Sequence, residues 1–560
     1  MRPVPPAYRY ERLVPLLDAA VDGALARQVA DPGRADVGAF VRPDPGIAEP
    51  TGVSAAALLA YAYLLPGSRH CGSAELVERI VLAAAYGRRS RRPSGRFDLI
   101  ITNFDSAPDT AFAVQALAPA VRAARLAAAA GDRDAGQIAE DLGELIRTAA
   151  PGMATGGFHT PNHRWVLVSA LSQALDLFAD LPVAPIIEAY LAEGIDTNPD
   201  GEYTERSTAI YNGVCNRSLR LAAEVMGRPD LLEPVRRNLE FSYRLMHGDA
   251  TAVTSISTRQ DRDQSSVPVR LADAYYALGR LDGNGFYLAA ADWLVAAEAP
   301  EMPWGLEPYL RHPEWRDSEP SRGELPGSYT AAFRASGLWR GRRGGESATV
   351  TAGLVTPFHL RWGRVDVGVR LCSTYFATGQ FVGEDFAGDD RGARLHHYGR
   401  NPLYRERRYD RPVYFLPFGG AVDATTWEEV RGRRNTYDLP PLEVDLAVRQ
   451  VEGGYDLQVV TRGGQAGVPF QLECVFEPGG VLELAGGAIE GTAGATAFLT
   501  AGRARYRVAE DVVEVGPGAD GHRMWHMHNS PGAPAHFRLL VPLLTPVEQV
   551  FEVRTGRFRP

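Results

Sequence analysis

Hydrophobic positions follow two regimes along the 560 residues, and the period changes near residue 320. From about residue 9 to about residue 300 apolar residues recur at helical spacing. Leu13, Leu16, Leu17, Ala20, Val21 and Ala24 form one stripe, and Leu232, Val235, Leu239, Tyr243 and Met246 form another, each marking one face of an amphipathic helix. Roughly eleven or twelve such segments succeed one another, joined by short turns such as Gly131-Asp132, with no strand signal between them. Two helix starts are explicit. Ser106 reads as a cap, with Pro108 in the first turn and Asp109 three residues on, ahead of Phe112, Val114, Leu117 and Val121. Pro161 opens another helix, whose apolar face is Val168, Leu171, Leu175 and Phe178. Paired helices in a ring or solenoid are expected.

After about residue 320 the period becomes two. Val365, Val367, Val369 and Leu371 alternate with polar or small residues, as do Leu442, Val444, Leu446 and Val448, the signature of half-buried strands. Glycine turns such as Gly453-Gly454 separate them, which predicts an antiparallel sandwich. The expected fold class is α+β multidomain, with an N-terminal (α/α) toroid over 1–315 and a C-terminal antiparallel β-sandwich over 316–560. The join falls within Arg311 to Gly327, where Pro313, Asp317-Ser318-Glu319-Pro320 and Pro326-Gly327 have linker character.

Composition sharpens this only at the margins. Hydrophobic residues make up 45% and charged residues 23%, as in ordinary folded chains. The formal net charge of -9 argues against a nucleic-acid binder and leaves room for a local basic cleft. Met1 to Tyr10 carry no apolar run with a small-residue cleavage site, so a cytoplasmic location is expected. No membrane association is expected either, since apolar windows such as Val53 to Leu65 are short and end at Pro66-Gly67. Cys71, Cys215, Cys372 and Cys474 lie far apart without metal spacing, as reduced thiols do, and Cys474 alternates with Phe470, Leu472 and Phe476 on a core strand face.

Four polar clusters carry candidate chemistry. In Gly156 to Trp165, Asn162, His163 and Arg164 stand together at a helix mouth, where unpaired N–H groups and partial positive charge would receive a carboxylate. An ordinary cap with a surface arginine is the plainer alternative. In Asp200 to Tyr211, Tyr203 precedes a helix and Tyr211 begins it, with Glu205, Arg206 and Asn212 around them. In Thr254 to Gln264, Arg259 is a candidate bidentate carboxylate ligand delivered by a loop. Asn103, beside Asp105 and Ser106, is the fourth candidate; otherwise it is a turn residue. His397, within His396-His397-Tyr398, is a candidate to reach a cleft from the strand region. His522, His526 and His528 lie close enough for a zinc site, but no diagnostic Asp or Cys stands beside them. His159 and His163 are four apart, yet Pro161 between them favours a cap over a shared metal face.

A helical toroid followed by a sandwich, with Asn162-His163 opening one helix and an Asp-Gly-Xaa-Tyr-Xaa-Glu-Xaa-Ser-Xaa-Xaa-Xaa-Tyr segment from Asp200 to Tyr211, resembles the heparinase II/III-like and alginate-lyase-like polysaccharide lyases. The architecture covers nearly the whole chain, whereas the motif is confined to those two segments. Two departures from the pattern are expected: no export signal is read at the start, and Cys215 stands one turn after Tyr211.

The resemblance implies β-elimination at a uronic acid within an acidic oligosaccharide or polysaccharide, leaving an unsaturated uronate. Asn162, with Arg164 or Arg259, would neutralise the substrate carboxylate, and His163 would act as base or as a further neutralising donor. Tyr211, or alternatively Tyr203, would protonate the leaving oxygen, with Arg206 the nearby positive charge that a phenolate would need. Tyr203, Arg206, Asn103 and His397 are further expected substrate contacts. No cofactor is required; a structural zinc or calcium in the sandwich and a homo-oligomer are compatible with the pattern. Two other readings stand beside this one. One is a glycoside hydrolase on the same toroid, using two carboxylates among Asp105, Asp109, Asp200 and Glu205. The other is a non-catalytic glycan-binding protein.

Overall fold

The computed structural model describes residues 7–44, 46–301, 304–375, 379–400, 413–528 and 530–558. The first six residues, part of the start read for an export signal, lie outside that set. The chain divides into two compact units after Leu325, within the Arg311 to Gly327 stretch and beyond residue 315.

The first unit is built from twelve helices among the described residues: α1 (Tyr10–Arg27), α2 (Ala56–Leu64), α3 (Ala74–Ser90), α4 (Ala107–Ala129), α5 (Arg133–Gly156), α6 (Pro161–Leu177), α7 (Ala184–Ala192), α8 (Tyr211–Met226), α9 (Leu232–Arg244), α10 (Ala272–Leu281), α11 (Gly285–Ala297) and α12 (Glu307–Arg311). Helices α2, α4, α6, α8, α10 and α12 each pack on the next, and α12 returns to α4, which closes the toroid. Behind them α3, α5, α7, α9 and α11 each pack on the inner helix that precedes them. Every outer helix reverses the chain, so the inner helices α4, α6 and α8 run in the same direction and start at the same end.

Sequence pattern accounts for the two rings. Outer helix α9 buries Leu232, Val235, Leu239 and Tyr243 on one side. Inner helix α6 is buried continuously from Trp165 to Ala174, as a helix enclosed by neighbours must be. Leu16 is an exception to the α1 stripe, since it stands 37% exposed while Leu13 and Leu17 are buried. A short antiparallel hairpin, β1 (Phe97–Leu99) and β2 (Asn103–Ser106), corrects the expectation of an uninterrupted helical succession; runs of three and four residues are too short for a period-two signal.

Charge closes the ring as well as apolar packing. Arg217 and Arg220 of α8 meet Asp273 of α10 at 3.1 and 3.2 Å, Arg220 also pairs with Glu307 of α12, and Arg311 reaches Glu224 at 2.9 Å. Burial alone would raise the Glu307 carboxyl, but Arg220 and Arg311 hold it well below the usual range. Removing one partner from such a buried group costs about 3–5 kcal/mol, because it strands the other charge.

The second unit contains an eight-stranded and a nine-stranded sheet, antiparallel except where Thr496–Phe498 runs parallel to Phe537–Leu544. The alternating residues of Val365–Ser373 and Leu442–Val451 fill the core, together with Cys474, Phe470, Leu472 and Phe476. Val451 pairs with Gly454 across a two-residue turn, and Gly453 adopts φ +70, a left-handed conformation open to glycine at no steric cost. Among the described residues no helix is long and apolar enough to cross a membrane.

Candidate functional site

The site forms where α4, α6 and α8 begin. Ser106 caps α4, its hydroxyl accepting from the Asp109 amide at 3.3 Å, and Pro161 stands in the first turn of α6 after Thr160. The rings of Phe112 in α4 and His163 in α6 pack edge to face, 6.1 Å between centroids, which brings the first two helix starts together. The side-chain amide of Asn162 donates to both oxygens of Glu205, at 2.8 and 3.1 Å, which ties the third. Three aligned N-termini add their partial positive charges at one place. The connections into the site are conformationally demanding: Asp105, Arg206 and Asp263 hold positive φ values of 49, 52 and 59. Aspartate tolerates that region, while for Arg206 it costs about 1–2 kcal/mol.

A loop over 254–264 completes the site. The backbone carbonyl of Glu205 accepts from the amide and hydroxyl of Thr258, at 3.3 and 2.9 Å. Asp261, buried, accepts from Ser207 at 2.9 Å and from Ser257 at 2.6 Å. These ties deliver Arg259 and Gln260. The guanidinium of Arg259 lies 4.8 Å above the Tyr211 ring, with Nε 3.3 Å from Glu205 Oε1. The Nε–H is not aligned on that oxygen, so the contact is an ion pair rather than a hydrogen bond. Among the described residues the two terminal nitrogens of Arg259 have no hydrogen-bond partner, and the side chain is 26% exposed. The side-chain amide of Gln260 donates to the Tyr211 hydroxyl oxygen at 2.5 Å.

Electrostatics separates the titratable groups. Burial pushes the His163 imidazole down to about 4; repulsion from His159 and Arg259 adds to this, and Asp109 opposes it. His163 is therefore neutral near pH 7, and among the described residues its buried Nδ1 has no hydrogen-bond partner. Burial raises the Glu205 carboxyl, with Asn162 and Arg259 pulling the other way. Asp105 is held low by Ser94 and Arg96.

Asn162, His163, Glu205, Tyr211, Arg259 and Gln260 thus share one neighbourhood, with Asn103 at its α4 edge, where its amide donates to Asp109 at 2.8 Å. The other candidates are placed elsewhere. Arg164 turns from the group to pair with Glu193 at 2.7 Å and Asp196 at 3.4 Å, and stacks on Trp165. Arg206 pairs with Glu202 at 2.8 Å, and the guanidinium stacked over the Tyr211 ring is that of Arg259. Tyr203 is buried, its hydroxyl donating to Asn216 at 2.9 Å and its ionisation pushed well up by burial. His397 lies inside the second unit, where its Nδ1 meets the Val382 carbonyl at 3.0 Å.

Among the described residues no group of three or more His, Cys, Asp or Glu side chains is placed to hold a metal ion, which applies to His522, His526 and His528 and to the His159–His163 pair. Gln260 and the tying role of Glu205 escaped sequence reasoning. Both lie within polar clusters visible in the chain, but spacing alone does not say which member of a cluster faces which.

The fold is that of the polysaccharide lyases that join an α toroid to a β domain. No family model matches the sequence, and no curated protein matches it. Among solved structures the chain is similar to a Paenibacillus xanthan lyase, with a TM-score of 0.51, 9% identity, and coverage of 98% of this chain and 56% of that one. It is similar too to the Streptomyces coelicolor A3 chondroitin AC lyase in complex with chondroitin sulphate, with a TM-score of 0.52, 12% identity, and coverage of 98% and 80%. The chain spans little more than half the length of the xanthan lyase.

Proposed function

We propose that the protein is a lyase that cleaves a uronate-containing oligosaccharide or polysaccharide by β-elimination. The observation that carries this reading is the grouping of a neutral His163, an Arg259 with both terminal nitrogens unpaired among the described residues, and Tyr211 at the mouths of three parallel helices.

Elimination requires relief of the carboxylate charge, a base for the proton on the adjacent carbon, and an acid for the leaving oxygen. Arg259 offers the two parallel donors that match a carboxylate, reinforced by the α4, α6 and α8 N-termini and backed by Asn162 through Glu205. His163 takes the proton, since a neutral imidazole accepts and a protonated one does not. Tyr211 supplies the acid. Its oxygen accepts from Gln260, which leaves its own hydrogen free for the leaving oxygen.

The hydrolase reading is less well served, because three of its four candidate carboxylates are already engaged. Asp105 is bound by Arg96 and Ser94, Asp109 accepts from Asn103 and Ser106, and Glu205 is sunk beneath Asn162 and Arg259. The test is incubation with uronate glycans, chondroitin sulphate and xanthan among them. Elimination raises ultraviolet absorbance from the new carbon–carbon double bond. New reducing ends without absorbance indicate hydrolysis, and binding with neither indicates a non-catalytic protein; both refute the reading.

A further inference from the structure

Glu205 is a buried carboxylate to which both Asn162 and Arg259 are attached. Its two carboxylate oxygens accept from the Asn162 amide at 2.8 and 3.1 Å, an amide that also reaches Thr160 Oγ1 at 3.1 Å, and its Oε1 faces Arg259 Nε at 3.3 Å. Its main-chain carbonyl holds Thr258, the residue before that arginine. Asn162 is wholly buried, among the described residues its Oδ1 has no partner, and its Nδ2 is engaged by Glu205 and Thr160, so in this arrangement Asn162 presents no donor to a ligand. Arg259 does. Glu205 meets its Nε edge, and the guanidinium is set over Tyr211 with its two terminal nitrogens unpartnered among the described residues.

We infer that Glu205 is a positioning residue, which fixes Arg259 by its Nε edge so that the two terminal nitrogens form the seat for a uronate carboxylate beside Tyr211. This rests on the lyase reading for the identity of the ligand, but the seat itself is a statement about carboxylate binding. An arginine on a surface loop has about 2 kcal/mol of rotamer entropy to lose on binding, and anchoring one edge beforehand removes much of that loss. The buried position of Glu205 suits this, since a partner shielded from water holds its geometry better than an exposed one.

The inference separates two substitutions by geometry. Glu205→Ala leaves Arg259 Nε without its carboxylate and the Asn162 amide with Thr160 alone. Glu205→Gln keeps an anchor: its carbonyl oxygen still faces Arg259, and its amide nitrogen can donate to Asn162 Oδ1 once that amide turns.

The test uses D-glucuronate and its neutral methyl ester as probes, with affinities read by saturation-transfer NMR on the full chain. The wild type is expected to prefer the acid, and Arg259→Ala to lose that preference. Glu205→Ala should lose roughly tenfold in acid affinity with little change for the ester, and Glu205→Gln should recover most of it. In the Glu205→Ala/Arg259→Ala double variant the loss should be no larger than with Arg259→Ala alone, because both remove one interaction. A general structural role would weaken acid and ester alike and would add to the Arg259 effect. Either of those results overturns the inference, as does an acid preference surviving in Glu205→Ala, loss as complete in Glu205→Gln, or a wild type with no acid preference. Failure of the lyase reading is seen separately: acid preference set by Glu205 together with no ultraviolet product from any uronate glycan refutes elimination and leaves the seat standing.

Discussion

His163 offers the sharpest single test, because its environment sets its protonation far from the ordinary. An exposed histidine titrates near 6.5, whereas burial, His159 and Arg259 bring His163 to about 4. At pH 5.5 an ordinary imidazole is only about 9% neutral, while His163 is about 97% neutral. On the elimination proposal His163 therefore stays competent as the base in mild acid, and the acid limb of kcat/KM is expected near pH 4 rather than near 6.5. Folding follows the same shift. The folded state binds fewer protons than the unfolded state between the two values, so this contribution is whole above pH 6.5 and is lost as pH falls through 4, to a total of about 3 kcal/mol. The perturbation is Phe112→Ala, which removes the ring packed edge-on against the imidazole and admits water. The His163 Cε1–H resonance, followed by NMR from pH 3.5 to 8, should titrate low in the wild type and at least one unit higher in the variant, by roughly the magnitude such desolvation commands. A wild-type midpoint near 6.5, or no movement in Phe112→Ala, refutes the account of how this site keeps its base neutral.

Three further outcomes follow from the same geometry. Tyr211→Phe should lower kcat by about 10²- to 10⁴-fold with KM nearly unchanged, since it removes only the proton donor; steady-state absorbance kinetics decides. Arg259→Lys should not rescue Arg259→Ala in KM, because an ammonium lacks both the Nε edge toward Glu205 and the paired terminal donors. Tyr203→Phe should leave activity intact and cost about 1–3 kcal/mol in denaturant unfolding, because it strands Asn216 Oδ1 in the interior. Lost activity in a folded Tyr203→Phe protein would move the acid to that residue.

The period of apolar residues was enough to read paired helices followed by an antiparallel sandwich, because the 3.6 and 2.0 repeats are local consequences of which face is buried. Residues 161 to 163 were legible for a similar reason: proline and polar residues at a helix start belong to that start wherever the helix is later packed. The hairpin β1–β2 was not, since its pairing of Phe97 with Ser106 depends on contacts rather than period.

Side-chain partnership was the part that only tertiary structure decided. Arg164, next to His163 in the chain, points to Glu193 and Asp196, while Arg259, almost a hundred positions on, stacks over Tyr211. Tyr203 and Tyr211 look equivalent as letters in one segment; helix α8 begins at one and buries the hydroxyl of the other against Asn216. Successive residues of a helix diverge by about 100°, so adjacency in sequence separates side chains, whereas the closing of the helix ring brings remote ones together. The chain alone determines which elements form and where polar groups gather at their ends. Which of those groups meet, and hence which carboxylate anchors which arginine, is set by the packing of α4, α6 and α8.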